Sequence, residues 1–407
     1  MPAAFSLEHR DPGGRARSGR LALAHATVHT PAFVPLATKG AVKGLEPREV
    51  AELGYEMVLG NTFHLFLEPG AQLVAAHGGL HRFMAWPRAI ITDSGGFQVF
   101  SMGHGTVADE IKGRPPRRGA DGRREGAMLG IEEEGVRFRS YTDGTERFLG
   151  PETSMEVQAA LGADIALAFD ECTPFHVSRE YTQRSTERTH RWLTRCLCWH
   201  EAHGPADQVV YGIVQGGVHE DLRRASAQAV AGTPSFGVAI GGSLGRDKAQ
   251  MYEVVEWAVD ELPEHKPRHL LGIGEVDDLI AGVERGIDTF DCAMPTRMGR
   301  HGMALVADPA ARWRLDLLKA RWREAEDPIL EGCPCPACRG GYSRAYLRHL
   351  LRARELLALR LVTLHNLAFV ARLMADLRAA LAAGSLAETA AALRAGAPPG
   401  AVPAAAR

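Results

Sequence analysis

Three aspartates and one glutamine stand directly after short apolar runs of strand length. Asp93 follows residues 89–92, Asp170 follows 165–169, Gln215 follows 209–214 and Asp291 follows 287–290. A single acid there would read as a helix cap. Four such residues, several beside paired glycines, read as one shared site, and paired carboxylates are what glycosyl chemistry uses. A second group is Cys333-Pro-Cys335-Pro-Ala-Cys338, three thiols within six residues. Zinc takes four ligands in a tetrahedron, and so tight a turn supplies only three. The fourth must come from elsewhere, with His349 and His365 as the downstream candidates. No water-activating acid stands beside the cluster, so the zinc is expected to be structural. Cys196, Cys198, His200 and His203 look like a further site, but positions two apart point to different sides of a helix, so they read as structural.

The elements that must position these groups repeat. Apolar runs at 32–37, 56–60, 89–92, 165–169, 209–214, 236–240, 269–273 and 287–290 each end in a polar residue or glycine and precede a helix-like stretch. Continuous apolar runs suit strands buried on both faces, and eight of them alternating with helices predict a (β/α)8 barrel. Active sites of such barrels lie at the C-terminal strand ends, where Asp93, Asp170, Gln215 and Asp291 fall. Residues 5–30, alternating around Asp11-Pro12-Gly13-Gly14, read as an antiparallel hairpin capping the barrel. Residues 101–150 read as a mobile basic loop carrying Lys112, Arg114, Arg117, Arg118, Arg123 and Arg124, either a solvated linker or an RNA-facing loop. The expected organisation is a barrel over 1–328, a zinc-binding helical subdomain over 329–383 and a disordered Ala/Gly/Pro-rich tail over 384–407.

The totals set bounds. The 407 residues carry a formal charge of −2, so any contact with RNA must come from a local basic patch. The first twenty residues carry charges throughout, and no stretch of about 18 apolar residues occurs, so neither a signal peptide nor a membrane span is expected. Crowded cysteines without a secretion signal fit a metal site in the cytoplasm better than disulfides.

From about Phe5 to about Leu381 the chain resembles the tRNA-guanine transglycosylase (queuine tRNA-ribosyltransferase) family. The likeness is carried by Thr30-Pro-Ala-Phe33, Leu59-Gly-Asn-Thr-Phe-His-Leu65, Asp93-Ser-Gly-Gly-Phe-Gln98, Phe169-Asp-Glu-Cys-Thr-Pro174, Gly212-Ile-Val-Gln-Gly216, Gly241-Gly242, Phe290-Asp-Cys-Ala-Met-Pro-Thr-Arg297 and the cysteine cluster, in that order. The resemblance implies an irregular (β/α)8 barrel with a zinc subdomain, commonly a homodimer. It implies exchange of the wobble-position guanine of transfer RNA, within the anticodon loop, for a 7-deazaguanine base. Asp291 would be the nucleophile at C1′ and Asp93 the general acid/base. Asp170, Gln215 and the Gly242 backbone would read the base, with Phe97, Cys172, Ser243, Gly245 and Leu271 lining its pocket. Arg297 and Arg300 would meet the neighbouring nucleotides. The zinc ligands would be Cys333, Cys335, Cys338 and, by the context Thr363-Leu-His365-Asn366, His365 rather than His349.

These residue types suit the reaction. A carboxylate at C1′ stabilises an oxocarbenium-like state and then bonds to it, and a second carboxyl protonates the leaving base. A third carboxylate accepts the N1–H and exocyclic amine, while an amide and a backbone N–H serve O6. After Gly241-Gly242 many bacterial members read Leu-Ala-Val, whereas this chain reads Ser243-Leu244-Gly245. Without the valine side chain the loop is expected to admit queuine, whose cyclopentenediol is bulkier than the aminomethyl group of preQ1. Three rivals fare worse. Gly272-Ile-Gly274 lacks the third glycine of a dinucleotide fingerprint. A barrel glycosidase gives no reason for the metal cluster. A non-catalytic RNA-binding subunit would be marked by loss of Asp93 or Asp291, and both are present.

Overall fold

A computed structural model describes residues 3–103 and 128–401; the basic positions 112–124 lie outside them. Eight parallel strands form the centre: β1 (Ala32–Val34), β2 (Met57–Gly60), β3 (Ala89–Thr92), β4 (Ile165–Leu167), β5 (Val209–Val214), β6 (Gly237–Ile240), β7 (Arg268–Leu270) and β8 (Thr289–Asp291). Each predicted run overlaps one of them, with the strands at Arg268 and Asp291 reaching one residue beyond their runs. The sheet runs from β2 through β3 to β8 and on to β1, and a parallel bridge between Leu36 and Leu59 joins its two ends into a barrel. Alternate residues face opposite ways along a strand. Met57, Leu59, Ala89, Ile91, Ile165, Leu167, Tyr211 and Ile213 fill the interior, while Val58, Ile90, Ala166, Val210 and Val238 pack under the helices. Burial on both faces is why the runs are apolar without alternation.

The expected N-terminal hairpin has a third strand. Ala4–Arg10, Arg17–Ala22 and Thr27–Thr30 form an antiparallel sheet whose Leu21 and Val28 plug the barrel interior. Arg17 fastens it, donating from Nε and Nη2 to Asp288 at 2.9 and 2.5 Å with both side chains buried. His25 and His81, stacked 3.6 Å apart, share the buried Asp164 at the same end. Two parallel rings that close cannot both aim in-plane lone pairs at one metal, so this trio is a clamp between cap and barrel.

Two expectations need correction. The stretch 101–150 is not a loop throughout, because Met128–Ile131, Val136–Arg139 and Glu146–Leu149 form an antiparallel sheet. Val136 and Phe138 alternate with exposed arginines and bury one face, and an Asp143-Gly144 turn joins the second strand to the third. The tail is not disordered through 384–401 either. Gly384, at φ 68°, ends the long helix Leu356–Ala383, and Leu386–Arg394 folds back with Leu386, Ala390 and Leu393 buried. Leu356–Ala383 is long and apolar enough by composition to cross a bilayer, with mean hydropathy 1.5, yet 67% of that window is buried inside the protein. It is a core helix, packed on Met294–Arg300, Arg344–Ala353 and β1.

Candidate active site

The barrel brings the predicted polar residues to one end. Asp93 follows β3 and is held by three amide donors: the Thr62 backbone at 2.9 Å, the Gln98 side chain at 3.2 Å and the Asn61 side chain. Asn61 also caps helix Thr62–Leu67, accepting from His64 N at 2.9 Å. Burial pushes the Asp93 carboxyl up to about 7, against hydrogen bonds from the Thr62 and Gly95 backbones and the Gln98 side chain, and the nearby Asp291 charge adds to the rise. That value suits a group that must give and take a proton near neutral pH.

Asp291 ends β8. Its Oδ1 accepts from Gly272 N and from the buried His269 Nε2, both at 3.1 Å, and His269 Nδ1 meets Thr289 Oγ1 at 2.8 Å. One carboxylate oxygen is thus fixed by donors, which leaves the other as the candidate attacking atom.

Asp170 lies beside them. Ser94 Oγ, one residue from Asp93, donates to it at 2.8 Å and Gln215 Nε2 at 2.7 Å. Burial raises its pKa to about 6, opposed by these two donors. Gln215 Oε1 is buried with no hydrogen-bond partner among the described residues, an atom free to meet a ligand. Cys172 is buried two residues on, and the Gly242 backbone N–H reaches its thiol. Gly242 sits at φ 77° against the Gln215 amide, where a Cβ would fall 2.2 Å from Oε1, so any other residue would be strained and would displace that amide. Ser243 is buried, Leu271 lies over Gly241, and Phe97 stands 39% exposed in helix Gly96–Gly103. Helix Met294–Arg300 starts three residues past Asp291 and presents Arg297 and Arg300, close enough that Arg297 lowers the Arg300 pKa, after burial.

Gly245 departs from the expectation. It adopts φ 118°, and a Cβ there would meet Gln250 Cγ at 2.9 Å. Its backbone conformation alone accounts for glycine, and the space it leaves faces a side chain of helix Lys248–Asp260.

The metal candidates converge. Sγ of Cys333, Cys335 and Cys338 lie 3.8, 3.4 and 3.5 Å from His365 Nδ1. Zinc bonds of about 2.3 Å to sulfur and 2.0–2.1 Å to nitrogen would separate such atoms by about 3.5 Å at a tetrahedral angle. His365 Nε2 donates to Leu305 O at 2.7 Å, which orients the ring, and His349 is not part of the group. Cys196, Cys198, His200 and His203 form no such group among the described residues.

Sequence reasoning missed Ser94, Gln98, His269 and the buried Arg223, although Ser94 and Gln98 stand inside a quoted motif. A cavity of about 460 Å³ lies between the cap and helix Leu356–Ala383, lined by residues that include His9, His29, Tyr55 and Arg378, and holds none of the three aspartates. The carboxylates rather than the cavity mark the candidate site.

Clustered carboxylates at the C-terminal mouth of a (β/α)8 barrel fit a glycosyl-transferring class of enzyme. The family model for queuine tRNA-ribosyltransferase matches residues 11–398. The queuine tRNA-ribosyltransferase of Roseiflexus sp. (strain RS-1) is 50% identical over 95% of this chain and 98% of its own length. That of Pelotomaculum thermopropionicum is 47% identical over 95% and 96%. The chain belongs to the queuine tRNA-ribosyltransferase family.

Proposed function

We propose that this enzyme exchanges guanine at the wobble position of G-U-N anticodon tRNAs for a 7-deazaguanine, preQ1 or queuine, in queuosine modification. The observation that carries this is the pair Asp93 and Asp291, close enough to interact, with one pushed up to about 7 and the other pinned by His269 and Gly272. The target nucleotide turns out of the anticodon loop into the pocket. The Asp291 carboxylate bonds to C1′ as the glycosidic bond breaks, and protonated Asp93 gives its proton to the departing guanine. The incoming base then surrenders a proton to Asp93, attacks C1′ and releases Asp291. Two inversions give net retention. Asp170 accepts the N1–H and exocyclic amine of the base, displacing the Gln215 amide that now occupies it. Gln215 and the Gly242 N–H serve O6, and Phe97 and Leu271 supply apolar faces. Arg297 and Arg300 suit the phosphates of neighbouring nucleotides.

Cys333, Cys335, Cys338 and His365 would hold one zinc ion, which supplies cross-linking of the C-terminal segments and no chemistry on the substrate. The family likeness also supports a homodimer acting in the cytoplasm.

The test is incorporation of labelled guanine into tRNA, followed by guanine, preQ1 and queuine offered side by side. Absence of guanine exchange would overturn the reading. The relative KM of preQ1 and queuine decides the incoming base, since Gly245 is accounted for by its backbone.

A further inference from the structure

Helix Glu220–Ala231 carries a guanidinium where the mechanism above has no use for one. Arg223 is fully buried, and no carboxylate accepts from it among the described residues. It spends its donors on backbone carbonyls instead. Nη1 donates to Val214 O at 3.0 Å and Gly241 O at 2.9 Å. Nη2 donates to Gly217 O at 2.7 Å and Ser243 O at 3.2 Å, and Nε donates to Gly217 O at 3.2 Å. Burial pushes its pKa down to about 9. An unpaired buried cation is costly to a fold, and carbonyl dipoles offset only part of that cost. The position therefore demands a return.

The return lies in which way the pocket's peptides face. Val214 and Gly217 flank Gln215, and Gly241 and Ser243 flank Gly242, so the four carbonyls belong to the two loops that read the base. In a trans peptide the C=O and N–H point in opposite directions. With Gly241 O held by Arg223, the N–H of the same peptide, that of Gly242, must point away from the guanidinium. It points toward Cys172, beside Asp170. Glycines at 241 and 242 leave this peptide little steric restraint of its own. The guanidinium is the restraint.

We infer that Arg223 is a positioning residue for base recognition, fixing the Gly241–Gly242 peptide so that the pocket offers an N–H donor to a 6-oxo purine or 7-deazapurine. The inference rests on the base-binding reading of Gly242. A fixed donor selects for an oxygen acceptor at position six. Arg223 itself touches no substrate, and its effect is confined to ligands that carry that oxygen.

The experiment compares guanine with 2-aminopurine, which lacks the 6-oxygen, as inhibitors of labelled-guanine exchange in the intact enzyme. In Arg223→Met the guanine inhibition constant is expected to rise on the order of 10- to 100-fold, as expected when a buried donor is no longer presented. The 2-aminopurine constant should move by less than about threefold, a split that general loosening of the fold would not give. Arg223→Lys keeps the charge with fewer donors and should recover part of the guanine affinity. Equal weakening of both bases, or unchanged guanine affinity in a folded Met variant, overturns the inference. Failure of both variants to fold overturns it too, since Arg223 would then be a folding residue. Absence of guanine exchange by the unaltered enzyme would instead sink the functional reading on which the inference stands.

Discussion

Replacing Asn61 by serine should move the alkaline limb of the first half-reaction upward. Three amide donors favour the ionised form of Asp93, yet burial outweighs them and leaves its pKa at about 7. The Asn61 side chain supplies one of those donors and, from its other atom, caps helix Thr62–Leu67. Serine is as good a cap as asparagine but is too short to reach Asp93, so the variant removes one contact and keeps the other. A hydrogen bond to a charged group contributes about 1.5–3 kcal/mol, which at 1.36 kcal/mol per unit is roughly one to two pKa units. The sign follows from the role. Guanine release needs Asp93 protonated, so activity is present below the folded pKa and lost as pH rises through it. At pH 8 a group of pKa about 7 is roughly 10% protonated, and one of about 8 to 9 roughly 50–90%. Single-turnover guanine release at pH 8 should therefore be about five- to ninefold faster in Asn61→Ser, with the two enzymes indistinguishable at pH 6. Stability obeys the same sign. A folded pKa raised above the unfolded value contributes fully below about pH 4 and is lost as pH rises through about 7. An alkaline limb that stays put or moves down in the variant would refute both the assignment of Asp93 as the acid and the account of its pKa.

Three further outcomes are expected. Asp291→Asn should abolish exchange and the covalent tRNA adduct on denaturing gels while leaving circular dichroism unchanged; exchange near the unaltered rate would remove Asp291 as nucleophile. Metal analysis should give about one zinc per chain, lost in His365→Ala and retained in His349→Ala; the reverse pattern would identify the wrong histidine. Arg17→Met should strand the buried Asp288 carboxylate and destabilise the fold by about 3–5 kcal/mol in denaturant titration, whereas a loss under about 1 kcal/mol would show that water or a neighbour replaces the guanidinium.

The barrel was legible because strands buried on both faces must be apolar throughout, and each of the eight runs overlaps a strand. The candidate site residues that the fold brings to one end were legible because chemistry at a barrel mouth needs polar residues at the ends of such runs. What escaped did so for physical reasons. The strands Val136–Arg139 and Glu146–Leu149 bury only one face, and their weak alternation was submerged in the arginine-rich composition around them. The helix Leu386–Arg394 is rich in alanine, so the face it packs on the preceding helix, Leu386, Ala390 and Leu393, stands out little from its surroundings in sequence. His269 lies inside an apolar run, and nothing in the pattern says that it faces Asp291 across two strands.

Gly245 shows the limit of reading a side chain from what it lacks. Its absent isopropyl group, set beside the valine of many bacterial members, suggested space for a bulkier base. The fold accounts for the glycine differently. At φ 118° any side chain is strained, and the Cβ direction leads to Gln250, whose Oε1 in turn accepts from Arg246 N at 3.1 Å. A valine there would first displace that contact and the start of helix Lys248–Asp260, so a change in base preference in Gly245→Val could not be credited to pocket crowding. Arg223 is the opposite case. Nothing in its sequence context singled it out, and the inferred role in choosing which atom of a base the pocket accepts rests on the position of Gly241 and Ser243 around a guanidinium with no anion among the described residues.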